Sequence, residues 1–131
     1  VRNGPYHLVI ASEVFEHFRN PKEQITQIGD ILVEDYAFVF LTTGLYVPTK
    51  RDQAWQYLAP QSGQHVCFYS RGSIEEVGRL LKACRIYQVG AEYEWLFVRS
   101  HRRSGLSHAH LSAASALLRT AVSLGILRKI E

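Results

Sequence analysis

The sequence has 131 residues, of which 47% are hydrophobic and 21% charged, and its formal net charge is +3 at pH 7. These values predict one soluble globular domain over residues 1–131 and exclude an intrinsically disordered chain. The basic excess is small and mostly dispersed. Its densest patch, Arg99, Arg102 and Arg103, is interpreted as part of a solvated loop after a strand, with phosphate binding as the alternative.

The two cysteines and the lengths of the apolar stretches indicate where in the cell the protein is located. Cys67 and Cys84 lack CxxC spacing, so we expect neither a structural zinc site nor a disulfide framework, and a reducing, cytoplasmic location. No apolar stretch reaches the length of a transmembrane helix, so no membrane partner is expected. The sequence begins at Val1 and contains no methionine, which leads us to expect that an N-terminal portion is missing.

The first chemically informative stretch follows a short apolar run. Residues 8–11 (LVIA) are rich in β-branched side chains and predict a central parallel strand covered on both faces. Glu13, Glu16 and His17 come directly after it, and their spacing predicts that they share one face of a helical turn. Because ligands of open α/β sheets bind beyond the carboxyl ends of the strands, we expect a functional site here.

A helix and a second strand follow this turn. Asn20, Pro21 and Glu23 are typical of a helix start, with Asn20 as the N-cap, and the apolar spacing predicts an amphipathic helix over residues 21–33. Residues 36–42 (YAFVFLT) are almost continuously apolar and predict a second buried parallel strand. The next long loop contains Trp55 and Tyr57, aromatic residues of a kind that covers a ligand, with plain packing as the alternative for Trp55.

The elements of the rest of the chain are predicted from turn and capping residues and from the spacing of apolar side chains. We expect a loop over residues 43–64, a short extended segment over 66–69, and a helix that is opened by a capping box at Ser73 and ends near Cys84. An antiparallel hairpin of residues 86–90 and 94–99 should follow at one sheet edge. The chain should end in an appended segment, 107–131, that contains an amphipathic helix over 109–124.

Two segments carry a family resemblance. The segment YHLVIASEVFEHFRNP from Tyr6 and the segment GQHVCFYSRGSIEEV from Gly63, in this order of elements, resemble the C-terminal half of a class I S-adenosylmethionine-dependent methyltransferase over residues 6 to about 99. The resemblance implies an α/β fold: a partial Rossmann-like methyltransferase sheet, its fourth to seventh strands with flanking helices. It also implies methyl transfer to an oxygen or other nucleophile of an unidentified acceptor.

The resemblance also implies how the cofactor is bound. Ala11, Ser12, Glu13 and Val14 match the wall of the site near the methyl group of S-adenosylmethionine. The glycine-rich loop of the family, GxGxG, does not occur in this sequence. We therefore expect the half of the domain that binds the cofactor through this loop to lie upstream. A small molecule is the expected acceptor, and RNA is the alternative through the arginine patch defined above.

A second resemblance concerns a metal. The ExxEH turn with a later histidine is similar to the metal site of small-RNA 2′-O-methyltransferases and of some quinone-biosynthesis O-methyltransferases. It implies Glu13, Glu16, His17 and His65 as ligands of magnesium, manganese or zinc. Without a metal, the same residues line a substrate pocket or have a purely structural role; for the pocket we name His65, His17 and Glu13 as catalytic residues, with an imidazole as general base.

Two other functions, a binding or scaffold module and a metal-dependent hydrolase, share features with this sequence. A non-catalytic binding or scaffold module would keep the pocket wall without the cofactor half. A metal-dependent hydrolase would need histidine at the first position of the motif, where this chain has Glu13, and a long helix, which Pro21 interrupts.

Overall fold

A computed structural model of the chain describes residues 4–46, 56–58, 61–89, 93–100, 116 and 120. The predicted helix over 109–124 and the appended segment lie outside these residues, except for Ala116 and Thr120, which are helical. The elements in chain order are strand β1 (Leu8–Ser12), a 3₁₀ turn (Phe15–His17), helix α1 (Pro21–Asp30), strand β2 (Ala37–Thr42), a 3₁₀ turn (Gln56–Leu58), helix α2 (Arg71–Leu80), strand β3 (Arg85–Gln88) and strand β4 (Glu94–Arg99).

The strands form one mixed sheet in the order β1-β2-β4-β3. β1 and β2 are parallel, as predicted, whereas β4 runs antiparallel to both β2 and β3. The predicted hairpin is therefore confirmed, with its second strand inserted next to β2 and its first strand at the sheet edge. The parallel pair brings the carboxyl ends of β1 and β2 to the same end of the sheet.

The continuous apolar composition of β2 is explained by burial on both faces. Val39 and Leu41 pack into the core shared with α1 and α2, and Phe40 packs into a second cluster on the opposite face. β1 was predicted as a central strand, but it lies at the other edge of this sheet, and Leu8 is exposed. Among the described residues, β2 is the only strand that pairs with β1.

Helix α1 begins where the sequence predicts and ends earlier. Asn20 is the N-cap and Pro21 occupies the first turn, but the Asn20 side chain donates to the carboxylate of Glu23 at 2.7 Å rather than capping a backbone amide. The helix stops at Asp30 instead of residue 33, because residues 31–33 pair with Tyr6. The Tyr6 amide donates to the carbonyl of residue 31 at 2.8 Å, and the amide of residue 33 donates to the Tyr6 carbonyl at 3.0 Å.

Helix α2 begins earlier than predicted. Ser70, not Ser73, is the N-cap: its extended backbone leaves the hydroxyl free to accept from the Ser73 amide, and the Ser73 hydroxyl accepts from the Ser70 amide at 2.7 Å. The predicted capping box is thus present three residues upstream of its expected position. The helix also ends earlier, at Leu80.

Two structural observations concern the cysteines and the possibility of a membrane-spanning helix. Cys67 and Cys84 are both free thiols, and the Cys84 thiol donates to the carbonyl of Val98 at 3.2 Å. In the part of the chain that the structure describes, no helix is long and apolar enough to cross a membrane.

Arg99 is a buried residue, so its interpretation as part of a solvated basic loop is wrong. Its side chain lies at the ends of both helices, and the residue is only 4% exposed. The guanidinium donates to the carbonyls of Gly29 at 2.8 Å and Leu81 at 2.6 Å, and at 3.4 Å to those of Leu32 and Val33. A cation at the carboxyl ends of two helices satisfies carbonyls that have no partner within the helix and interacts favourably with both helix dipoles.

We predict that Arg99→Met destabilises the protein by about 3 kcal/mol or more, because buried carbonyl acceptors lose their donor. The measurement is equilibrium unfolding in urea. The matched control is Arg79→Met, which removes an arginine whose side chain is 67% exposed and pairs with Glu76 on the helix surface. The control should leave the urea midpoint unchanged. Equal midpoints for the two variants would contradict the role given to Arg99.

Candidate active site

The carboxyl ends of β1 and β2 form the floor of the candidate site. Ser12 and Thr42 are paired in the parallel register, and their hydroxyl oxygens lie 3.1 Å apart. The Thr42 hydroxyl also contacts Glu13, donating to its carboxylate at 3.0 Å. The polar residues that follow the first strand are therefore at the end of the sheet where the sequence predicts a site.

Glu13 departs from the predicted arrangement. Its φ of +51° is left-handed, a conformation that costs a residue with a side chain on the order of 1 kcal/mol or more. A bond from its amide to the Thr42 carbonyl at 3.1 Å holds this geometry. The helical turn begins only at Phe15, so the prediction that Glu13, Glu16 and His17 share one face of a turn is wrong: Glu16 points inward and is buried, and His17 is exposed.

The electrostatic surroundings of Glu13 come from the same turn. Burial of its carboxyl group raises its pKa above the ordinary value, and the nearby carboxylate of Glu16 raises it further. Hydrogen bonds from Thr42 and Tyr57 act in the opposite direction and favour the ionised form. Two carboxyl groups therefore lie close together at the end of the strand, an arrangement that a bound cation would stabilise.

Glu16 forms hydrogen bonds through both its backbone and its side chain. The residue is 0% exposed. Its carbonyl accepts from the amides of Val66 at 2.8 Å and Cys67 at 3.0 Å, which joins the turn to the second motif segment. Its Oε2 accepts from the hydroxyl of Thr43 at 3.4 Å. Within the described residues its Oε1 has no hydrogen-bond partner.

His17 and His65 lie beside this carboxylate with defined tautomers. Nδ1 of His17 is 2.9 Å from the carbonyl oxygen of Gln64, and Nδ1 of His65 is 2.5 Å from the carbonyl oxygen of Tyr57. A carbonyl oxygen only accepts, so each Nδ1 carries a proton, and in the neutral form of each ring the lone pair is therefore on Nε2. The two rings meet edge to face with their centroids 5.0 Å apart.

Three of the four predicted ligands are brought together. Glu16, His17 and His65 each offer one ligand atom, and these atoms all lie within 4.8 Å of one another. Glu13 is not in this group, although its carboxyl group contacts Thr42 and lies close to that of Glu16. One carboxylate and two imidazoles are donors that suit manganese and zinc better than magnesium, which prefers oxygen ligands.

Two residues at the site were not predicted as functional. Thr43 is 0% exposed, and its hydroxyl lies between the Glu16 carboxylate and the Tyr57 hydroxyl, from which it is 3.1 Å distant. The sequence offers no signal for Thr43 beyond its place at the end of an apolar run. Tyr57 was considered only as a covering aromatic beside Trp55, which lies outside the described residues.

The predicted cofactor wall is a continuous stretch at the end of β1. Ala11 is buried, Ser12 and Val14 are half-buried, and Glu13 is exposed. Val14 packs against the core, whereas the side chains of Ser12 and Glu13 both contact the hydroxyl of Thr42. The role of these four residues in cofactor binding stays a prediction.

Comparison of the sequence with known protein families identifies the family of this chain. The model of the methyltransferase domain family matches residues 1–80, which contain β1, the 3₁₀ turn, α1, β2, His65 and α2. A search of curated proteins and a search of solved structures each gave no match. The matched region covers more than half of the chain and holds the whole cluster of Glu16, His17 and His65. The mixed α/β sheet is consistent with a partial Rossmann-like methyltransferase fold, and the chain belongs to the methyltransferase domain family.

Proposed function

We propose that the protein transfers the methyl group of S-adenosylmethionine to a hydroxyl oxygen of a small molecule, and that Glu16, His17 and His65 hold a divalent cation at the transfer site. One observation carries this proposal. The Oε1 atom of Glu16 is buried without a partner among the described residues, next to two imidazoles whose Nδ1–H groups are bonded to carbonyls.

The residues fit a cation on their chemistry. Leaving a buried carboxylate oxygen without a partner costs free energy, which a cation at the same place offsets. Histidines that bind metals commonly donate their other ring N–H to a carbonyl, which fixes the tautomer, and both His17 and His65 have this bond. Glu13 adds a second carboxyl group close by, whose pKa is raised by burial and by the neighbouring Glu16.

The reaction that follows from this arrangement is a direct displacement. A divalent cation supplies Lewis acidity, which lowers the pKa of an acceptor hydroxyl and so favours its reactive form. The acceptor oxygen forms a bond to the methyl carbon while the carbon–sulfur bond breaks. The electron pair stays on sulfur, giving S-adenosylhomocysteine, and the hydroxyl proton passes to solvent. The end of β1, from Ala11 to Val14, orients the donor against the acceptor, which is where much of the rate acceleration of such a reaction arises.

The burial of Arg99 supports proposing a small-molecule acceptor over RNA. The RNA alternative depended on a patch of three arginines, and Arg99 uses its guanidinium inside the protein on backbone carbonyls. Arg102 and Arg103 lie outside the described residues. The cluster itself is compatible with any acceptor that presents a hydroxyl group.

We predict that S-adenosylhomocysteine, added to isotope-labelled protein, shifts the backbone amide resonances of residues 11–14 in a ¹⁵N-resolved NMR spectrum. The physical reason is that these residues form the proposed wall beside the sulfur. The amides of residues 71–80 in α2, a separate element, should not move and provide the internal control. Saturable shifts that leave residues 11–14 unchanged would contradict the proposed cofactor position.

We predict that the protein binds about one equivalent of Mn²⁺, measured by the loss of the free Mn²⁺ signal in electron paramagnetic resonance. Glu16→Gln should weaken this binding at least about tenfold, because the amide keeps the size of the side chain but removes the negative charge. The control is Glu75→Gln, which changes an exposed carboxylate on α2 and should bind Mn²⁺ as the unsubstituted protein does.

Two results would count against the metal. Failure of the unsubstituted protein to bind Mn²⁺ or Zn²⁺ would exclude the metal site. Equal Mn²⁺ binding by Glu16→Gln and the unsubstituted protein would show that the metal binds at a different site. In the first case the same residues support a metal-free mechanism, in which the unprotonated Nε2 of His17 or His65 acts as the general base. Methyl transfer that continues in the presence of a chelator would identify that mechanism.

A further inference from the structure

We infer that Thr43 and Tyr57 are positioning residues that hold Glu16 and His65 in the geometry needed to bind the cation. This inference rests on the proposed function and extends it to residues that do not themselves provide ligand atoms. It is carried by a chain of contacts that begins at the end of β2 and reaches two of the three members of the cluster.

The first link is the hydroxyl of Thr43. Thr43 and Glu16 are both 0% exposed, and the Thr43 hydroxyl donates to Oε2 of the carboxylate. The hydroxyl oxygen of Thr43 also lies 3.1 Å from the hydroxyl oxygen of Tyr57, within hydrogen-bond distance. Thr43 thus connects Tyr57 to Glu16.

The second link is the phenol oxygen of Tyr57. Besides its contact with Thr43, the Tyr57 hydroxyl forms a hydrogen bond with the carboxyl group of Glu13. Tyr57 therefore contacts both Thr43 and a carboxyl group at the end of β1.

The third link joins Tyr57 to His65. The carbonyl of Tyr57 accepts the Nδ1 proton of His65, and the two rings pack with their centroids 4.6 Å apart. Tyr57 thereby fixes both the tautomer and the plane of this imidazole. Gly44 makes the approach possible, because a Cβ atom added there would lie 2.8 Å from the tyrosine ring, inside van der Waals contact.

The consequence concerns the carboxylate of Glu16. Because Oε2 is bonded to Thr43, Oε1 is the oxygen left for a ligand among the described residues. Residues that orient metal ligands in this way are worth about 10- to 100-fold in metal affinity. Without them the carboxylate and the imidazole would lose the arrangement that brings their ligand atoms together.

The test is Mn²⁺ titration of three variants by electron paramagnetic resonance. Thr43→Val keeps the shape but removes the hydroxyl, and we expect about 10- to 100-fold weaker binding. Tyr57→Phe removes only the phenol oxygen, and we expect binding weakened about tenfold. Thr43→Ser restores the hydroxyl and should bind within about threefold of the unsubstituted protein. The control, Tyr93→Phe, changes a residue that is 51% exposed and should have no effect.

The experiment separates a positioning role from a general loss of structure. Circular dichroism confirms that each variant is folded at the titration temperature, and ¹⁵N shifts of the His65 ring report whether Nδ1 stays protonated. Mn²⁺ binding by the unsubstituted protein with Thr43→Val and Tyr57→Phe both within about threefold would overturn this inference alone. Absence of Mn²⁺ binding by the unsubstituted protein would overturn the proposed metal site, and this inference with it.

Discussion

The backbone carbonyl of Glu16 accepts hydrogen bonds from the amides of Val66 and Cys67, at 2.8 and 3.0 Å. Through these bonds a turn at the end of β1 is joined to a segment far along the chain, and His17 is brought to the carbonyl of Gln64, 47 residues away. Burial of Phe15 anchors the turn beneath them, and the hydroxyl of Tyr69 donates to the Phe15 carbonyl at 3.1 Å. The site exists because this junction holds two loops together over one end of the sheet.

The junction depends in turn on how the helices are fixed to the sheet. Arg99, at the end of β4, donates to carbonyls at the ends of both helices and so ties α1 and α2 to the same strand. Gly29 allows the two helices to approach closely, since an added Cβ would lie 2.9 Å from the Leu80 carbonyl oxygen. The scaffold and the site therefore use opposite electrostatics: a buried cation satisfied by carbonyls, and a buried carboxylate that lacks one partner within the described residues.

Much of the fold follows from local patterns. The apolar runs of β1 and β2 and the turn residues before α1 predict elements close to those observed, because strand-forming runs and helix starts are encoded within a few residues. The contacts that define the site are not local. Nothing near Thr43 or Tyr57 indicates that they meet Glu16 and His65, and nothing near Arg99 indicates that its charge is satisfied by distant carbonyls. The capping box of α2 was misplaced because two serines, Ser70 and Ser73, both bear the right side chain for the N-cap.

The central claim is that Glu16, His17 and His65 bind one divalent cation. Anomalous diffraction from crystals grown with Mn²⁺, recorded on both sides of the manganese absorption edge, tests it most directly. The account predicts a single strong anomalous peak within bonding distance of Oε1 of Glu16 and of Nε2 of both histidines. A map without a peak at this place, or with Mn²⁺ bound only at other surface carboxylates, would contradict it.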